Sequence, residues 1–276
     1  MKVFLLALLF LFSCEKKGDT LLSGVEMGMA YKIILRENIS KQDLENVKKI
    51  VKETFAKVDQ KLNHWNPHSE ISIWNSSKST KKIKISPFLL NAIKIADKIY
   101  SLTDGKYDPS IGKVIKLWKK ALQLGYSIKE DELKKYKIST GWDKIIIFED
   151  SIQKTHPDVE IDLDGITKGY FCDILTLKLK QMGLKKFLVE WAGEIKVCGG
   201  PFKILSGKEI ILLNDKAVAT SGPTFQIYPI NGVVFSHFID SKTLLCKEIE
   251  DIFLSKSIIN ESCAIADGLA TASIFE

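Results

Sequence analysis

The chain has 276 residues, 45% of them hydrophobic and 27% charged, enough to bury a substantial core in one large domain or two interleaved lobes. Its 40 Lys and Arg outnumber 34 Asp and Glu, a net charge of +6. This excess is spread along the sequence, without arginine-rich or aromatic-interleaved basic blocks, so it reads as a solvated, Lys-rich surface and argues against nucleic-acid binding.

In chain order, Lys2 precedes an apolar run from Val3 to Phe12. A helix needs about 20 such residues to span a bilayer, so this run suits the core of a secretory signal over residues 1–13 instead. Leu11-Phe12-Ser13-Cys14 resembles a bacterial lipobox, which makes Cys14 the lipidation site and residues 14–24 a tether. A plain signal peptide or a buried strand is the alternative. The expected location is exported and membrane-anchored, on the periplasmic or cell-surface side. Cys172, Cys198, Cys246 and Cys263 form no CxxC pair, so buried free thiols are expected rather than a zinc knuckle or redox motif.

A strand is expected at Ala30–Leu35. Ser40–Leu62 follows as an amphipathic helix, with Leu44, Val47, Ile50, Val51, Phe55 and Val58 at helical spacing and Ser40 as its cap. Ser86-Pro87 opens a helix that stops at Thr103-Asp104-Gly105. Lys144–Phe148 and Val159–Leu163 are expected to pair as strands, before a helix from Ile166 to Met182 that Gly183 ends. Short strands are expected at Phe187–Trp191, Ile210–Leu213, Ala217–Thr220, Val233–His237 and Ile252–Lys256, and a last helix begins near Cys263. Helices mixed with consecutive strands predict an α+β fold of mixed sheets packed with helices.

Three constellations carry chemistry. Asp162-Leu163-Asp164-Gly165-Ile166-Thr167-Lys168-Gly169-Tyr170 sits where a strand turns into a helix, a position that gathers ligands. Two glycines permit close backbone approach, and Lys168 in the first helical turn opposes the macrodipole unless an anion joins it there. The alternative is a tight turn with an exposed lysine. Asp267 and Thr271 lie four apart on one helix face, hard oxygen donors of the kind magnesium takes together with phosphate oxygens; an Asp near a helix start is more often a cap or dipole partner. His237 ends an apolar strand beside Ser236 and Asp240, placed as a general base or as a structural histidine.

Taken in order, further segments join these: Met27-Gly28-Met29, Leu62-Asn63-His64-Trp65, Ser69-Glu70-Ile71-Ser72, Thr103-Asp104-Gly105-Lys106-Tyr107-Asp108-Pro109, Ala192-Gly193-Glu194, Ala219-Thr220-Ser221-Gly222 and Ser236-His237-Phe238-Ile239-Asp240. From about residue 25 to the end, the chain resembles the ApbE family of FAD:protein FMN transferases. The resemblance implies a T-fold-related, ApbE-like domain over 25–276 that uses magnesium to move the FMN part of FAD onto a threonine hydroxyl of acceptor flavoproteins, with release of AMP. It implies FAD contacts at Met27, Trp65, Lys106, Tyr107, Asp108, Asp162, Lys168 and Ile239. Magnesium would be held by Asp267, Thr271 and the carbonyl of Gly165, with His237 and Asp267 catalytic. Acceptors would be membrane redox-complex subunits or exported flavoproteins. A magnesium-dependent FAD pyrophosphatase and a non-catalytic FAD-binding lipoprotein are the alternatives. Asp240-Ser241-Lys242-Thr243-Leu244 departs from the family pattern by lacking its Pro and Gly, Trp191-Ala192 replaces a more usual Asp-Gly, and a further helix and strand are expected after Thr271.

Overall fold

A computed structural model describes residues 18–206, 209–223 and 226–276. Cys14 and the expected signal lie outside the described residues, and no described helix is long and apolar enough to cross a membrane. The chain opens with a hairpin of β1 (Thr20–Glu26) and β2 (Met29–Leu35), then α1 (Lys41–Lys61), α2 (Glu70–Ser76), β3 (Ile83–Lys84), α3 (Pro87–Leu102), α4 (Gly112–Gln123) and α5 (Glu130–Leu133). Two 3₁₀ turns lead to β4 (Ile145–Ile147) and β5 (Ser151–Lys154), followed by α6 (Asp164–Gln181). The second half holds β6 (Phe187–Trp191), β7 (Glu194–Cys198), β8 (Phe202–Ser206), β9 (Glu209–Leu213), β10 (Ala217–Ser221), β11 (Tyr228–Ile230), β12 (Val233–Ile239), β13 (Cys246–Glu248), β14 (Lys256–Asn260) and α7 (Cys263–Ser273). The fold is α+β, as the order of elements predicts.

Six strands pair antiparallel in the order β1-β2-β6-β7-β10-β14. Alternation along β2 and β6 sends Ile33, Leu35, Phe187, Val189 and Trp191 to one face and Ile34 and Leu188 to the other. The first face carries the main core under α1, α3, α6 and α7. There Phe55 and Phe171 stack at 3.9 Å between centroids, and both meet Trp191 edge-on at 5.1 Å. The β8–β9 hairpin covers the second face through Phe202, Ile204 and Leu213. A separate core joins α4 to the β11–β12–β13 sheet, where the Trp118 indole donates to the Leu244 carbonyl at 2.8 Å.

Helix starts follow the expected chemistry. The Ser40, Ser69, Ser86 and Ser262 hydroxyls each accept from a backbone N–H one turn ahead, with Pro87 at the first position of α3. Differences from expectation have local causes. Residues 20–24, expected within the tether, form β1 because the two-residue Met27-Gly28 turn, both with positive φ, folds them onto β2. Val159–Leu163 forms only a single parallel bridge, Glu160 with Ile111, and is not the partner of β4, which pairs with β5 instead. Side chains and loops satisfy its backbone: Asn75 both donates to and accepts from Ile161 at 2.8 Å, and the Asp162 N–H donates to the Pro109 carbonyl at 2.8 Å. The last strand starts at Lys256 rather than Ile252. In the Asp240–Leu244 turn, Asp240 Oδ1 accepts from the N–H groups of Lys242 and Thr243, and Leu244 itself adopts φ 65°. An Asx turn thus replaces the missing Pro and Gly. The four described cysteines are buried free thiols, as expected.

Candidate functional site

The site forms where the N-terminal turn of α6 meets α7. Leu163 at the helix cap has no capping side chain, so Asp162 serves, accepting from the Asp164 N–H at 2.8 Å. Gly165 follows because a side chain has no room there. A Cβ on it would lie 2.9 Å from the Tyr107 ring and 3.5 Å from Thr271 Oγ1. At Gly169, a Cβ would strike the backbone of Cys263 and Ala264. These two glycines let α6 and α7 approach backbone to backbone, which draws Gly165, Asp267 and Thr271 together.

Asp267 is buried at the centre of the contact. Its Oδ2 accepts from the Gly169 N–H at 3.0 Å, and its Oδ1 lies 3.6 Å from Lys168 Nζ. Lys168 also reaches Glu194 Oε1 at 3.5 Å. Burial disfavours the ammonium, yet Asp267 and Glu194 outweigh it and hold the lysine charged, well above its ordinary pKa. α6 begins at Asp164, so Lys168 is its fifth residue rather than part of the first turn. Those two carboxylates, not an exposed position, offset its conflict with the helix field. Burial raises the pKa of both carboxyls, against the pull of Lys168, and Glu194 Oε2 is left without a hydrogen-bond partner. The Thr271 hydroxyl bonds the Asp267 carbonyl at 3.1 Å and the Ser221 hydroxyl at 3.3 Å.

One wall is Tyr107, buried, its hydroxyl unpartnered and its pKa pushed up by burial first and by the surrounding aspartates second. On the open side stands Trp65, 48% exposed, its indole donating to Asp164 Oδ2 at 3.3 Å while Lys119 Nζ lies 3.6 Å from the ring centroid. His237 is half-buried, with Nδ1 unpartnered. Desolvation, with Lys168 and Lys119 adding to it, brings its pKa down to about 4, so it is a neutral imidazole at physiological pH. Two open hollows, of about 560 and 340 Å³, lie instead beside β12–β13 and between the first hairpin and α1. Convergent polar groups, rather than hollow size, mark the site.

Residues 27–275 match the ApbE family. The chain belongs to the ApbE family. FAD:protein FMN transferases from Chlamydia trachomatis and Chlamydia muridarum are 35% and 33% identical to it, over 97% and 94% of this chain and 88% and 85% of theirs. A point variant of the flavin transferase ApbE from Vibrio cholerae superposes with a TM-score of 0.82 at 27% identity, covering 94% of this chain and 87% of that one. The apo flavinyl transferase ApbE of Pseudomonas stutzeri shares the fold, with a TM-score of 0.83 at 21% identity over 95% and 86% of the two chains.

In this ApbE chain the structure unites Trp65, Tyr107, Asp162, Gly165, Lys168, Asp267 and Thr271. Asp108 caps the next turn, accepting from the Ser110 N–H at 2.8 Å. Lys106 pairs with Glu276 at 3.3 Å. Ser241 donates to the Gly105 carbonyl at 2.6 Å and so ties the β12–β13 turn to that segment. Met27 packs on the main core from the first hairpin turn, and Ile239 lies in the second core, so both are apolar elements outside the polar network. Sequence reasoning did not single out Glu194, Lys119, Asn75 or Asp173 as positioning groups. Glu194 stood within a recognised segment, but nothing in its spacing signals burial beside a lysine.

Proposed function

We propose that this chain transfers the FMN moiety of FAD to a threonine hydroxyl of acceptor flavoproteins with the help of magnesium, releasing AMP. The observation that carries the reading is the convergence of Gly165, Asp267 and Thr271 at the α6–α7 contact. A buried carboxylate, a hydroxyl and a backbone beside a glycine are hard oxygen donors, the set magnesium takes. Four carboxylates, from Asp162, Asp164, Glu194 and Asp267, crowd this corner, where Lys168 pairs with Glu194 and Asp267 at 3.5–3.6 Å and His64 lies against Asp162 and Asp164. Such a balance suits a divalent cation. When bound at Asp267, Thr271 and the Gly165 carbonyl, magnesium would spread the charge that develops as the FAD pyrophosphate breaks.

The chain's own residues do the rest. Lys168 holds a phosphate oxygen, and the open face of Trp65 receives a flat ring. Tyr107, closed against Gly165, serves as a wall rather than a stacking platform. His237, a neutral imidazole at physiological pH, takes the threonine proton as the hydroxyl oxygen bonds to the FMN phosphorus. The bond from that phosphorus to the AMP phosphate oxygen breaks, and AMP departs. Lipidation at Cys14 with export to the periplasmic or cell-surface side completes the proposal, supported by the lipobox-like Leu11-Phe12-Ser13-Cys14.

Incubation of the chain with FAD, Mg²⁺ and an exported flavoprotein acceptor, followed by intact-mass analysis, tests it. The expected result is one FMN phosphoester increment on the acceptor and stoichiometric AMP. Free FMN with an unmodified acceptor would replace transfer by hydrolysis. For the anchor, Cys14→Ala should move the chain from the membrane to the soluble fraction.

A further inference from the structure

Beside the α6–α7 contact, His64, Asp162 and Asp164 present one nitrogen and two carboxylate oxygens, all within 4.8 Å of one another. We propose that this trio is a second cation site, taking a borderline divalent transition metal such as Co²⁺ or Zn²⁺ and distinct from the oxygen-only set at Asp267 and Thr271. The site goes beyond the transferase reading and stands without flavin.

Three observations lead to it. The His64 side chain is 1% exposed, and neither ring nitrogen makes a hydrogen bond. Asp162, likewise buried, leaves Oδ2 unpartnered while its Oδ1 is spent on the Asp164 N–H. His64 Nδ1 lies 3.5 Å from that Asp162 oxygen and 3.3 Å from Asp164 Oδ1, without the alignment of a hydrogen bond. Tetrahedral ligands about 2.1 Å from a metal are separated by roughly 3.4 Å, which matches both spacings.

Charge points the same way. A neutral imidazole brings at most one N–H from Nδ1 to two carboxylates, which leaves their charge uncompensated. A single proton on His64 leaves the trio net negative. Nearby ammonium groups are engaged elsewhere: Lys116 with Glu160 at 2.9 Å, and Lys168 with Glu194 and Asp267. A divalent ion balances both carboxylates, and imidazole with carboxylate oxygens selects the borderline metals over magnesium. Asp164, with 54% of its side chain exposed, leaves an entry path and an open coordination position.

Co²⁺ titration of the full, flavin-free chain in saturating Mg²⁺, followed by visible d–d absorption and calorimetry, tests the site. One equivalent of Co²⁺ should bind with an absorption band that excess Mg²⁺ does not bleach. His64→Gln should weaken Co²⁺ binding at least tenfold and abolish the band. Asp164→Asn, at a half-exposed position that tolerates change, should weaken it too, and it decides the matter if His64→Gln does not fold. Asp267→Asn should leave the band intact. No Co²⁺ uptake in saturating Mg²⁺ would show that the trio holds no metal, and equal binding by wild type and Asp164→Asn would place the ion elsewhere; either result overturns the proposal. Because no flavin is present, failure here leaves the acceptor-mass experiment untouched.

Discussion

Gly169→Ala probes the contact on which the site depends. The added Cβ would lie 2.6 Å from the Cys263 carbonyl carbon and 2.7 Å from the Ala264 nitrogen, and closer still to the Cys263 oxygen. Those are backbone atoms at the start of α7, so no side chain can swing aside. Reaching ordinary contact requires α7 to retreat by roughly 0.8 Å. Overpacking of this kind costs about 1–3 kcal/mol, which for a chain of this size lowers Tm by roughly 3–10 °C. The retreat also stretches the 3.0 Å bond from the Gly169 N–H to Asp267 and carries Asp267 and Thr271 away from Gly165. A misplacement near 1 Å costs on the order of a hundredfold in rate, so turnover should fall further than stability. Gly183→Ala is the control. Its Cβ meets nothing, and φ +91° costs about 1 kcal/mol of strain with turnover preserved. Calorimetry and AMP release at saturating FAD read both effects. Wild-type Tm and turnover in Gly169→Ala would refute the close α6–α7 packing and the proposal of a metal corner built on it.

Other perturbations have equally definite outcomes. His237 titrates near 4 in the folded chain, chiefly through burial, against 6.5 for a free imidazole, so its contribution to stability is complete above pH 6.5 and is lost as the pH falls toward 4. That loss is about 3 kcal/mol across the window; His237→Asn should flatten the acid side of the Tm–pH curve, and a kcat/KM acid limb near pH 6.5 would exclude His237 as the base. Asp162, pushed up to about 6 by burial and then by Asp164, acts in the opposite sense, costing stability as pH rises from 3.8 to 6, and Asp162→Asn should remove that slope in the same melts. Trp65→Ala should weaken FAD binding about tenfold in a fluorescence titration while changing stability by less than about 0.5 kcal/mol, because Trp65 is an exposed platform. Asp173 accepts from Ser262 Oγ and from the N–H groups of Cys263 and Ala264, so Asp173→Ala should cost about 2–3 kcal/mol in urea melts and weaken Mg²⁺ binding by loosening α7. Unchanged melts would mean that water replaces that cap.

Local chemistry explains what was legible in the sequence. Ser40 and Ser86-Pro87 at helix starts, helical spacing in α1 and the glycine after α6 are short-range signals, and each produced its element where expected; α2, opened by Ser69, was not expected. Asp267 and Thr271 share a face because four residues make about one helical turn. Val159–Leu163 shows the limit. Its apolar residues look like a strand, but the partners of its backbone include Asn75, 86 positions away from Ile161, Pro109, Gly112 and the Lys154 ammonium. No local pattern encodes which side chain will satisfy a distant carbonyl.

Composition, spacing and the ordered segments thus determined an α+β chain of the ApbE family with its glycine-bearing turn into α6 and the Asp267–Thr271 pair on one helix face. The tertiary structure alone decided that Lys168 is bound by Glu194 and Asp267, that Tyr107 is a wall and Trp65 a face, and that His64 lies between two aspartates. Those outcomes depend on burial and on charges that meet only after folding. A buried charge is set by the sum of its neighbours, and those neighbours come from separate stretches of the chain.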